Sequence, residues 1–260
     1  MKAVTAFFLV LCYLAVNHAW NCKESPRLNN ALQIDAGQGK VVAIDRSYYM
    51  YFLMGSRWYR MSTLKFKHAT VGPAGLWAAS TRNRVYKSVG GQLRPASGLS
   101  MQQLDAGGDD QVVGVASNSR TYCLTRSRAS SYYGVGTLSW SYLSRVLRYY
   151  SCGLNYGCWG VDSSYRVMVT QVMNPASCAA TRWAYVSGPK MRMVEVGTYG
   201  RVFAVSITGL LYERVGISSS RRMGTAWRQV PMCSTVRHVS YDLRQLWVVT
   251  NSGLIMRCTH

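Results

Sequence analysis

The stretch Val42-Ala43-Ile44-Asp45-Arg46-Ser47-Tyr48-Tyr49-Met50-Tyr51 decides the fold, because its pattern occurs six times along the chain. In each copy an apolar triplet precedes polar turn residues, and a large apolar residue stands nine positions after the first member of the triplet. Each copy therefore predicts two strands joined by a tight turn. The triplets are Val42-Ala43-Ile44, Trp77-Ala78-Ala79, Val113-Gly114-Val115, Trp159-Gly160-Val161, Phe203-Ala204-Val205 and Trp247-Val248-Val249. The large residues are Tyr51, Tyr86, Tyr122, Met168, Tyr212 and Met256.

Two further strands complete each unit. An apolar stretch that ends in a turn precedes the triplet, as at residues 32–37, and a fourth strand carries a tryptophan in four units. These tryptophans are Trp58, Trp140, Trp183 and Trp227, and Leu93 is the nearest apolar residue in unit two. The triplets recur at intervals of 35 to 46 residues, and four short strands at that spacing are typical of propeller blades. We expect the longer intervals to come from insertions at residues 126–137, 170–180 and 216–224 that form exposed loops. We therefore predict an all-β fold, a six-bladed β-propeller, with its tryptophans packed between blades.

The last unit predicts how the ring closes. The chain ends at His260, shortly after Met256, so this blade lacks a fourth strand. Trp20-Asn21-Cys22 supplies a tryptophan that has no blade of its own. We expect this N-terminal strand to complete the sixth blade, with a disulfide from Cys22 to Cys258 that holds the closure.

Residues 1–19 have the features of a secretory signal peptide. Lys2 makes a basic start, residues 3–16 are apolar, and Ala19 is a small residue at the expected cleavage site. This apolar run is too short to span a membrane, and no other run is long enough. We predict a secreted, extracellular protein without a transmembrane segment, whose single domain comprises residues 20–260.

Seven cysteines remain in residues 20–260. Export favours disulfides, and the absence of CxxC or HxxxH spacing argues against a zinc site. Cys152 and Cys158 flank a short turn and are expected to pair. We also expect Cys123 to pair with Cys178. No sequence spacing supports this pairing, so it stays open. Cys233 then remains as a free thiol or as a link to a second chain.

The composition excludes a disordered or histone-like chain. Lys and Arg total 30 against 10 Asp and Glu, a formal charge of +20, yet only 15% of residues are charged and 48% are apolar. Disordered basic tails are more hydrophilic and poorer in aromatic residues. The excess charge, mostly arginine, predicts attraction to anionic partners and says nothing about the fold.

Several segments resemble the tectonin lectins. They are residues 32–37, 71–75, 103–109, 149–152, 158–161 and 238–243. This family includes fish egg lectins and a horseshoe-crab lectin that binds bacterial lipopolysaccharide. The resemblance covers nearly all of residues 20–258 and implies a propeller that binds N-acetylglucosamine and related microbial glycans. The chain departs from the family at Thr250, where these lectins carry a cysteine that would pair with Cys233, and in its dense arginines.

Sugar binding requires an aromatic face and a few hydrogen-bonding groups. The hairpins between second and third strands emerge on one face of a propeller and contain both. The candidate carbohydrate-binding residues are Asp45, Arg46, Tyr48, Asn83, Asn118, Asp162, Tyr165 and Asn251. Tight hairpins also require such residue types, so each position has a structural explanation as well. The candidates for phosphate, sialic acid or sulfated glycans are Arg128, Arg145, Arg148, Arg221 and Arg222.

We predict no enzymatic activity. No GxSxG element occurs, and the adjacent acids Asp109-Asp110 would point to opposite faces of a strand. We expect Asp35 and Asp105 to brace turns beside glycines. The sequence predicts no required cofactor and leaves a structural cation open, since no EF-hand loop is present.

The predicted function is a secreted lectin for glycans bearing N-acetylglucosamine and for lipopolysaccharide or other anionic glycans. Several weak sites would give avidity and agglutination in defence against microbes. The alternative is a non-enzymatic scaffold that binds acidic egg or plasma proteins or glycosaminoglycans through its basic surface. Export argues against nucleic acid as the partner, and a homo-oligomer stays open.

Overall fold

A computed structural model describes residues 20–260, which form six antiparallel sheets of four strands each, arranged as the blades of one propeller. The predicted all-β, six-bladed architecture is confirmed. The predicted signal peptide, residues 1–19, lies outside the described residues. In five blades the four strands follow one another along the chain, with the first strand at the centre of the ring.

The first three blades have the following strands. Blade 1 contains β2 (Ala31–Gly37), β3 (Lys40–Asp45), β4 (Met50–Met54) and β5 (Arg57–Arg60). Blade 2 contains β6 (Phe66–Gly72), β7 (Gly75–Ser80), β8 (Val85–Val89) and β9 (Gln92–Ala96). Blade 3 contains β10 (Met101–Asp105), β11 (Val112–Ala116), β12 (Arg120–Leu124) and β13 (Ser141–Val146), with a short helix α1 (Arg126–Ser130) before its last strand.

The other three blades repeat this arrangement. Blade 4 contains β14 (Tyr149–Cys152), β15 (Cys158–Val161), β16 (Val167–Asn174) and β17 (Ala179–Val186). Blade 5 contains β18 (Met191–Val196), β19 (Val202–Ser206), β20 (Leu211–Val215) and β21 (Ala226–Val230), with a 3-10 turn at Thr198–Gly200. Blade 6 contains β22 (Val236–Asp242), β23 (Gln245–Thr250) and β24 (Ile255–Thr259), and its fourth strand is the N-terminal β1 (Asn21–Glu24).

The repeated triplets are the buried second strands of the blades. The middle residue of each triplet lies opposite the large apolar residue of the third strand, which explains the constant spacing. These pairs are Ala43–Tyr51, Ala78–Tyr86, Gly114–Tyr122, Gly160–Met168, Ala204–Tyr212 and Val248–Met256. Two of the middle positions leave little room for a side chain. A Cβ on Gly114 would lie 2.6 Å from the Gln103 carbonyl oxygen of the first strand, and a Cβ on Gly160 would lie 2.6 Å from Leu147 Cδ1, just before the first strand.

The tryptophans pack as predicted, between blades. Trp77, Trp159 and Trp247 of the second strands are buried. Trp159 contacts the edge of Trp227 with ring centroids 6.1 Å apart, and Trp247 lies in one cluster with Trp58. Burial of such large rings supplies much of the hydrophobic stabilisation of the ring of blades.

The ring closes through the N-terminal strand, as predicted. β1 pairs with β24, and Cys22 lies opposite Cys258, to which it is disulfide-bonded. Trp20 is buried ahead of this strand, with its ring 5.8 Å from that of Phe203 and 6.4 Å from that of Tyr241. The first and last strands of the propeller are thereby joined by hydrogen bonds, a covalent bond and aromatic packing.

The other two expected disulfides, Cys152–Cys158 and Cys123–Cys178, are also present. The prediction of a free thiol at Cys233 is wrong. Cys233 is disulfide-bonded, and none of the cysteines in residues 20–260 is free. The odd count that suggested a free thiol depended on removing Cys12, which lies outside the described residues.

One expected loop is instead part of a sheet. Residues 170–180 were expected to form an exposed loop because they interrupt the repeat spacing, yet β16 and β17 continue through them and pair as far as Asn174 and Ala179. Cys178 lies in the turn of this long hairpin and ties it to Cys123 of blade 3. The insertion therefore lengthens blade 4 and crosslinks it to its neighbour.

Removal of the closing disulfide should destabilise the propeller more than removal of the short one. The Cys22–Cys258 bond spans 236 residues and the Cys152–Cys158 bond spans 6. The chain-entropy model assigns about 5 kcal/mol to the first loop and about 2 kcal/mol to the second. Denaturant unfolding of the Cys22→Ala/Cys258→Ala and Cys152→Ala/Cys158→Ala variants measures both losses. Equal losses would contradict the closing role of the first bond.

Candidate functional site

The hairpins between second and third strands share one backbone geometry. In each, the fourth residue adopts a left-handed conformation, and its N–H donates to the carbonyl oxygen three residues earlier at 2.9–3.0 Å. These residues are Tyr48, Asn83, Ser119, Tyr165, Gly209 and Gly253. Glycine and asparagine adopt this conformation at low cost, whereas a residue such as tyrosine costs about 1–2 kcal/mol there. Strained residues of this kind cluster at functional sites.

The six hairpins are linked into a continuous ring. The carbonyl oxygen of each left-handed residue accepts a hydrogen bond of 2.7–3.0 Å from the N–H at the start of the next blade. Phe66 N–H donates to Tyr48 in this way, and Ala31 N–H donates to Gly253 where blade 6 meets blade 1. We call this surface the hairpin face, and it comprises residues 45–49, 80–84, 116–120, 162–166, 206–210 and 250–254.

The two candidate carboxylates brace their hairpins. Asp45 Oδ1 accepts the Tyr49 N–H at 2.8 Å, and Asp162 Oδ1 accepts the N–H groups of Ser164 and Arg166, both at 2.9 Å. Hydroxyls make the equivalent bond in three other blades, from Ser80, Ser206 and Thr250. The carboxylates therefore hold backbone groups, and Asp162 also pairs with the Arg166 guanidinium at 2.8 Å.

The amide and guanidinium candidates connect neighbouring segments. Arg46 Nη2 donates to the carbonyl oxygen of Asn251 at 2.9 Å, which joins blade 1 to blade 6. The Asn251 side chain donates to Thr235 Oγ1 at 2.8 Å. Asn83 Oδ1 accepts from the Lys67 ammonium group, and the exposed Asn118 accepts the Arg120 N–H at 3.1 Å. These groups are held in place by the fold instead of moving freely in solvent.

The two tyrosines present the aromatic surface of this face. Tyr48 leaves 41% of its surface exposed. The Tyr165 ring lies 4.5 Å from the Arg148 guanidinium carbon in a cation–π contact. An exposed, rigid ring of this kind can lie against the apolar face of a sugar, with nearby amides binding the hydroxyls. The structure thus places all eight candidates on the hairpin face, where they come from five different blades.

The channel at the centre contains a feature that the sequence analysis missed. One residue of each first strand points to it, and carboxylates of blades 1, 3 and 5 alternate with hydroxyls of blades 2, 4 and 6. This inner ring consists of Asp35, Thr70, Asp105, Ser151, Glu195 and Ser240, all of them buried. The signal that could have revealed it is the equivalent position of these residues in every repeat.

The inner ring joins adjacent blades, which corrects the expectation that Asp35 and Asp105 brace local turns. Asp35 Oδ2 accepts the Val71 N–H of the next blade at 2.6 Å, and Asp105 Oδ1 accepts the Cys152 N–H of the next blade at 2.9 Å. Asp105 also accepts the nearby Gly107 N–H at 3.2 Å, so a local contact is a minor part of its role. The first strands do not pair with each other, and these side chains supply the missing links.

Burial shifts the titration of the three carboxyl groups upward. Loss of water raises the pKa of Asp35 to about 6 and that of Asp105 to about 7, and repulsion from Asp35 adds to the shift at Asp105. Burial and the charges of both aspartates raise the pKa of Glu195 well above its ordinary value. Within residues 20–260 no group of three or more His, Cys, Asp or Glu side chains is arranged to hold a metal ion.

Two histidines lie one layer further along the channel. The Tyr149 hydroxyl lies 3.1 Å from His238 Nε2 and 3.4 Å from His68 Nε2. Burial lowers the pKa of both histidines to about 3, so both are neutral at pH 7. The group is buried and hydrogen-bonded within the fold.

Carboxylates are too few to neutralise the surface. Four ion pairs are present in the described part of the chain, and they use three acids, Asp109, Asp162 and Glu213. Three further acids are buried in the inner ring. Most arginines therefore belong to none of these ion pairs, and some have neutral partners, as Arg128 does with the Ser139 carbonyl oxygen at 2.7 Å.

These features define a six-bladed β-propeller with a rigid ring of hairpins on one face. A tectonin domain model matches residues 30–251, and the chain belongs to the tectonin family. The predicted resemblance to this family is confirmed.

Known proteins give two further comparisons. The fish-egg lectin of Cyprinus carpio is 35% identical over 158 residues, which are 60% of this chain and 65% of that lectin, just under two thirds of its length. Among solved structures, a gluconolactonase from Xanthomonas campestris aligns over 95% of this chain and 92% of its own, with a TM-score of 0.70 and 10% identity. A PQQ-bound aldose sugar dehydrogenase from Streptomyces coelicolor aligns over 92% of this chain and 98% of its own, with a TM-score of 0.57 and 11% identity. At these identities the solved structures show the fold alone.

No helix in residues 20–260 is long and apolar enough to cross a membrane.

The inner ring predicts a pH dependence of stability. Asp35 and Asp105 have raised pKa values in the folded state. Their contribution to the free energy of unfolding is therefore complete below about pH 4 and is lost as the pH rises through 6 and 7. The buried histidines act with the opposite sign between about pH 3 and 6.5. Asp105→Asn should therefore gain stability relative to wild type, by up to about 1.4 kcal/mol per pH unit, as the pH rises from 4 to 7.

Denaturant unfolding of both proteins at several pH values measures this difference. The groups that face Asp105 are Asp35, Glu195, Ser151 and the Tyr149 hydroxyl, and they are unchanged in the variant. Asp45→Asn, which removes a carboxylate from a hairpin outside the inner ring, is the control. A constant difference for Asp105→Asn across this range would show that its carboxyl group titrates normally.

Proposed function

We propose that this chain is a secreted, extracellular lectin that binds N-acetylglucosamine-type glycans on microbial surfaces. The observation that carries this proposal is its 35% identity to a fish-egg lectin within a tectonin fold. Sugars bind at the hairpin face, and the arginine-rich surface adds affinity for lipopolysaccharide and other anionic glycans. The protein acts without enzymatic chemistry.

The hairpin face supports this proposal through its rigidity and its repetition. The left-handed tyrosines Tyr48 and Tyr165 are held in place by backbone hydrogen bonds on both sides. A pre-ordered aromatic ring loses little conformational entropy when a sugar binds. Equivalent hairpins in several blades offer several weak sites, and simultaneous occupancy of these sites by one microbial surface gives high avidity.

Replacement of the two hairpin tyrosines, Tyr48 and Tyr165, should weaken sugar binding. Tyr48→Asn and Tyr165→Asn keep a residue that tolerates the left-handed conformation, as Asn83 does in blade 2. Each variant should lower the affinity for N-acetylglucosamine oligomers by about tenfold, since an aromatic contact is worth roughly 1–1.5 kcal/mol. Titration calorimetry with chitotriose measures the affinity, and agglutination of bacteria measures the avidity.

Tyr59→Asn is the matched control. Tyr59 is 46% exposed, close to the value for Tyr48, but it lies on the outer strand β5. It should leave the affinity unchanged. Binding that ignores free sugar and disappears at high salt would overturn the lectin proposal and support the basic scaffold for acidic proteins.

A further inference from the structure

One position of the first strands is basic in four of the six blades. This position is the extra residue of a β-bulge in five blades, at residues 32, 67, 102, 192 and 237, and Arg148 occupies it just before β14. The basic residues are Lys67, Arg148, Arg192 and Arg237, and the other two blades have Leu32 and Gln102. Bulges redirect side chains, and they are common beside binding sites.

A cavity of about 520 Å³ opens beside two of these basic residues, Lys67 and Arg148, and is lined by blades 2, 3 and 4 next to the hairpin face. Its lining includes Lys67, Arg148 and Gln102, with His68, Gln103 and Tyr149. We call this cavity the basic funnel. Its volume lies within the usual range for small-molecule sites, about 300–1,000 Å³.

The basic residues at this position, of which Lys67 and Arg148 line the funnel, are held by neutral groups. The Lys67 ammonium binds Asn83 Oδ1, and Arg148 lies over the Tyr165 ring. Arg192 donates to the carbonyl oxygens of Ser206 and Ile207 at 3.1 and 2.8 Å. None of the four basic residues belongs to an ion pair among those within residues 20–260.

Two observations show that this positive charge lacks a counter-ion. At the equivalent position of blade 6, outside the lining of the cavity, Arg237 Nε is buried and has no hydrogen-bond partner in the described part of the chain. Burial also lowers the pKa of the Lys67 ammonium group, because nothing nearby compensates the lost water. An anion in the funnel would therefore gain charge-assisted hydrogen bonds and relieve the repulsion between like charges.

We propose that the basic funnel binds a phosphate group carried by a sugar. Phosphate accepts from several converging cations at once, and arginine forks match its oxygen atoms in pairs. The amide, imidazole and hydroxyl groups on the rest of the lining suit sugar hydroxyls. This inference rests on the proposed function only in assigning the phosphate group to a sugar. Binding of inorganic phosphate tests the funnel independently of that assignment.

Calorimetric titration with inorganic phosphate, glucose 6-phosphate and glucose tests the proposal. Wild type should bind glucose 6-phosphate at least about tenfold more tightly than glucose, and its affinity should fall as salt rises. Lys67→Gln/Arg148→Gln should lose about tenfold or more in that affinity. Arg57→Gln changes the charge on the exposed outer strand β5 and should stay within about twofold of wild type.

Thermal unfolding provides a second readout that does not depend on calorimetry. Phosphate should raise the midpoint of wild type and of Arg57→Gln but should not raise that of the double variant. Equal binding of glucose and glucose 6-phosphate, or equal losses in Arg57→Gln and the double variant, would overturn the proposal. Failure of the funnel in this test leaves binding of chitotriose at the hairpins unaffected, so the two proposals fail separately.

Vesicles of phosphatidylcholine with and without phosphatidic acid identify the source of the phosphate. Phosphatidic acid carries no sugar, so its capture by wild type and not by the double variant, without tighter binding of glucose 6-phosphate than of glucose, would overturn the sugar phosphate and assign the funnel to lipid phosphate. Binding of glucose 6-phosphate without capture supports it for soluble or polymeric sugar phosphates. Capture that is equal in wild type and in the double variant would overturn the funnel as the anionic site.

Discussion

The structure depends on hydrogen bonds between first strands that do not belong to the same sheet. Each blade completes its own sheet, and backbone bonds join neighbouring blades at the hairpin face, so the first strands along the channel must be joined by side chains. Side chains of one blade accept the backbone N–H groups of the next, as Thr70 does from Ala106 and Ser151 does from Val196. A buried N–H without a partner would cost about 1–3 kcal/mol, so the inner ring is a requirement of the architecture.

This requirement determines where the negative charge goes. Three of the ten acids lie in the inner ring, where burial favours their neutral forms. Others brace hairpins, as Asp45 and Asp162 do. Four arginines pair with carboxylates, and others have carbonyl oxygens or aromatic rings as partners. The surface is therefore basic. The hairpin face surrounds one end of the channel, where the side chains are basic, and the carboxyl groups of the inner ring lie in the interior of the channel.

The fold was predictable because its signal is local and repeated. Ala43 lies opposite Tyr51 since a four-residue hairpin separates two strands, and the same offset in six units identifies six blades. The N-terminal closure was predictable because Trp20 and Cys22 had no other blade to join. The pairing of strands within residues 170–180 could not be predicted in this way. A longer hairpin and an irregular loop lengthen the interval between two triplets by the same number of residues. Cys233 could not be assigned by counting cysteines, because the count depends on a segment outside the described residues.

The candidate hairpins were located correctly from the sequence, but their chemistry depends on neighbours in other blades. The sequence by itself determined the number of blades, their strands and the hairpin face, because these depend on contacts within about 45 residues. Only the tertiary structure decided which polar side chains are hydrogen-bonded within the fold and which can contact a ligand. Asp35 and Ser240 are 205 residues apart yet hydrogen-bonded, and Lys67 and Arg148 line one cavity. Closure of the ring brings such residues together, and no local pattern records which blade faces which.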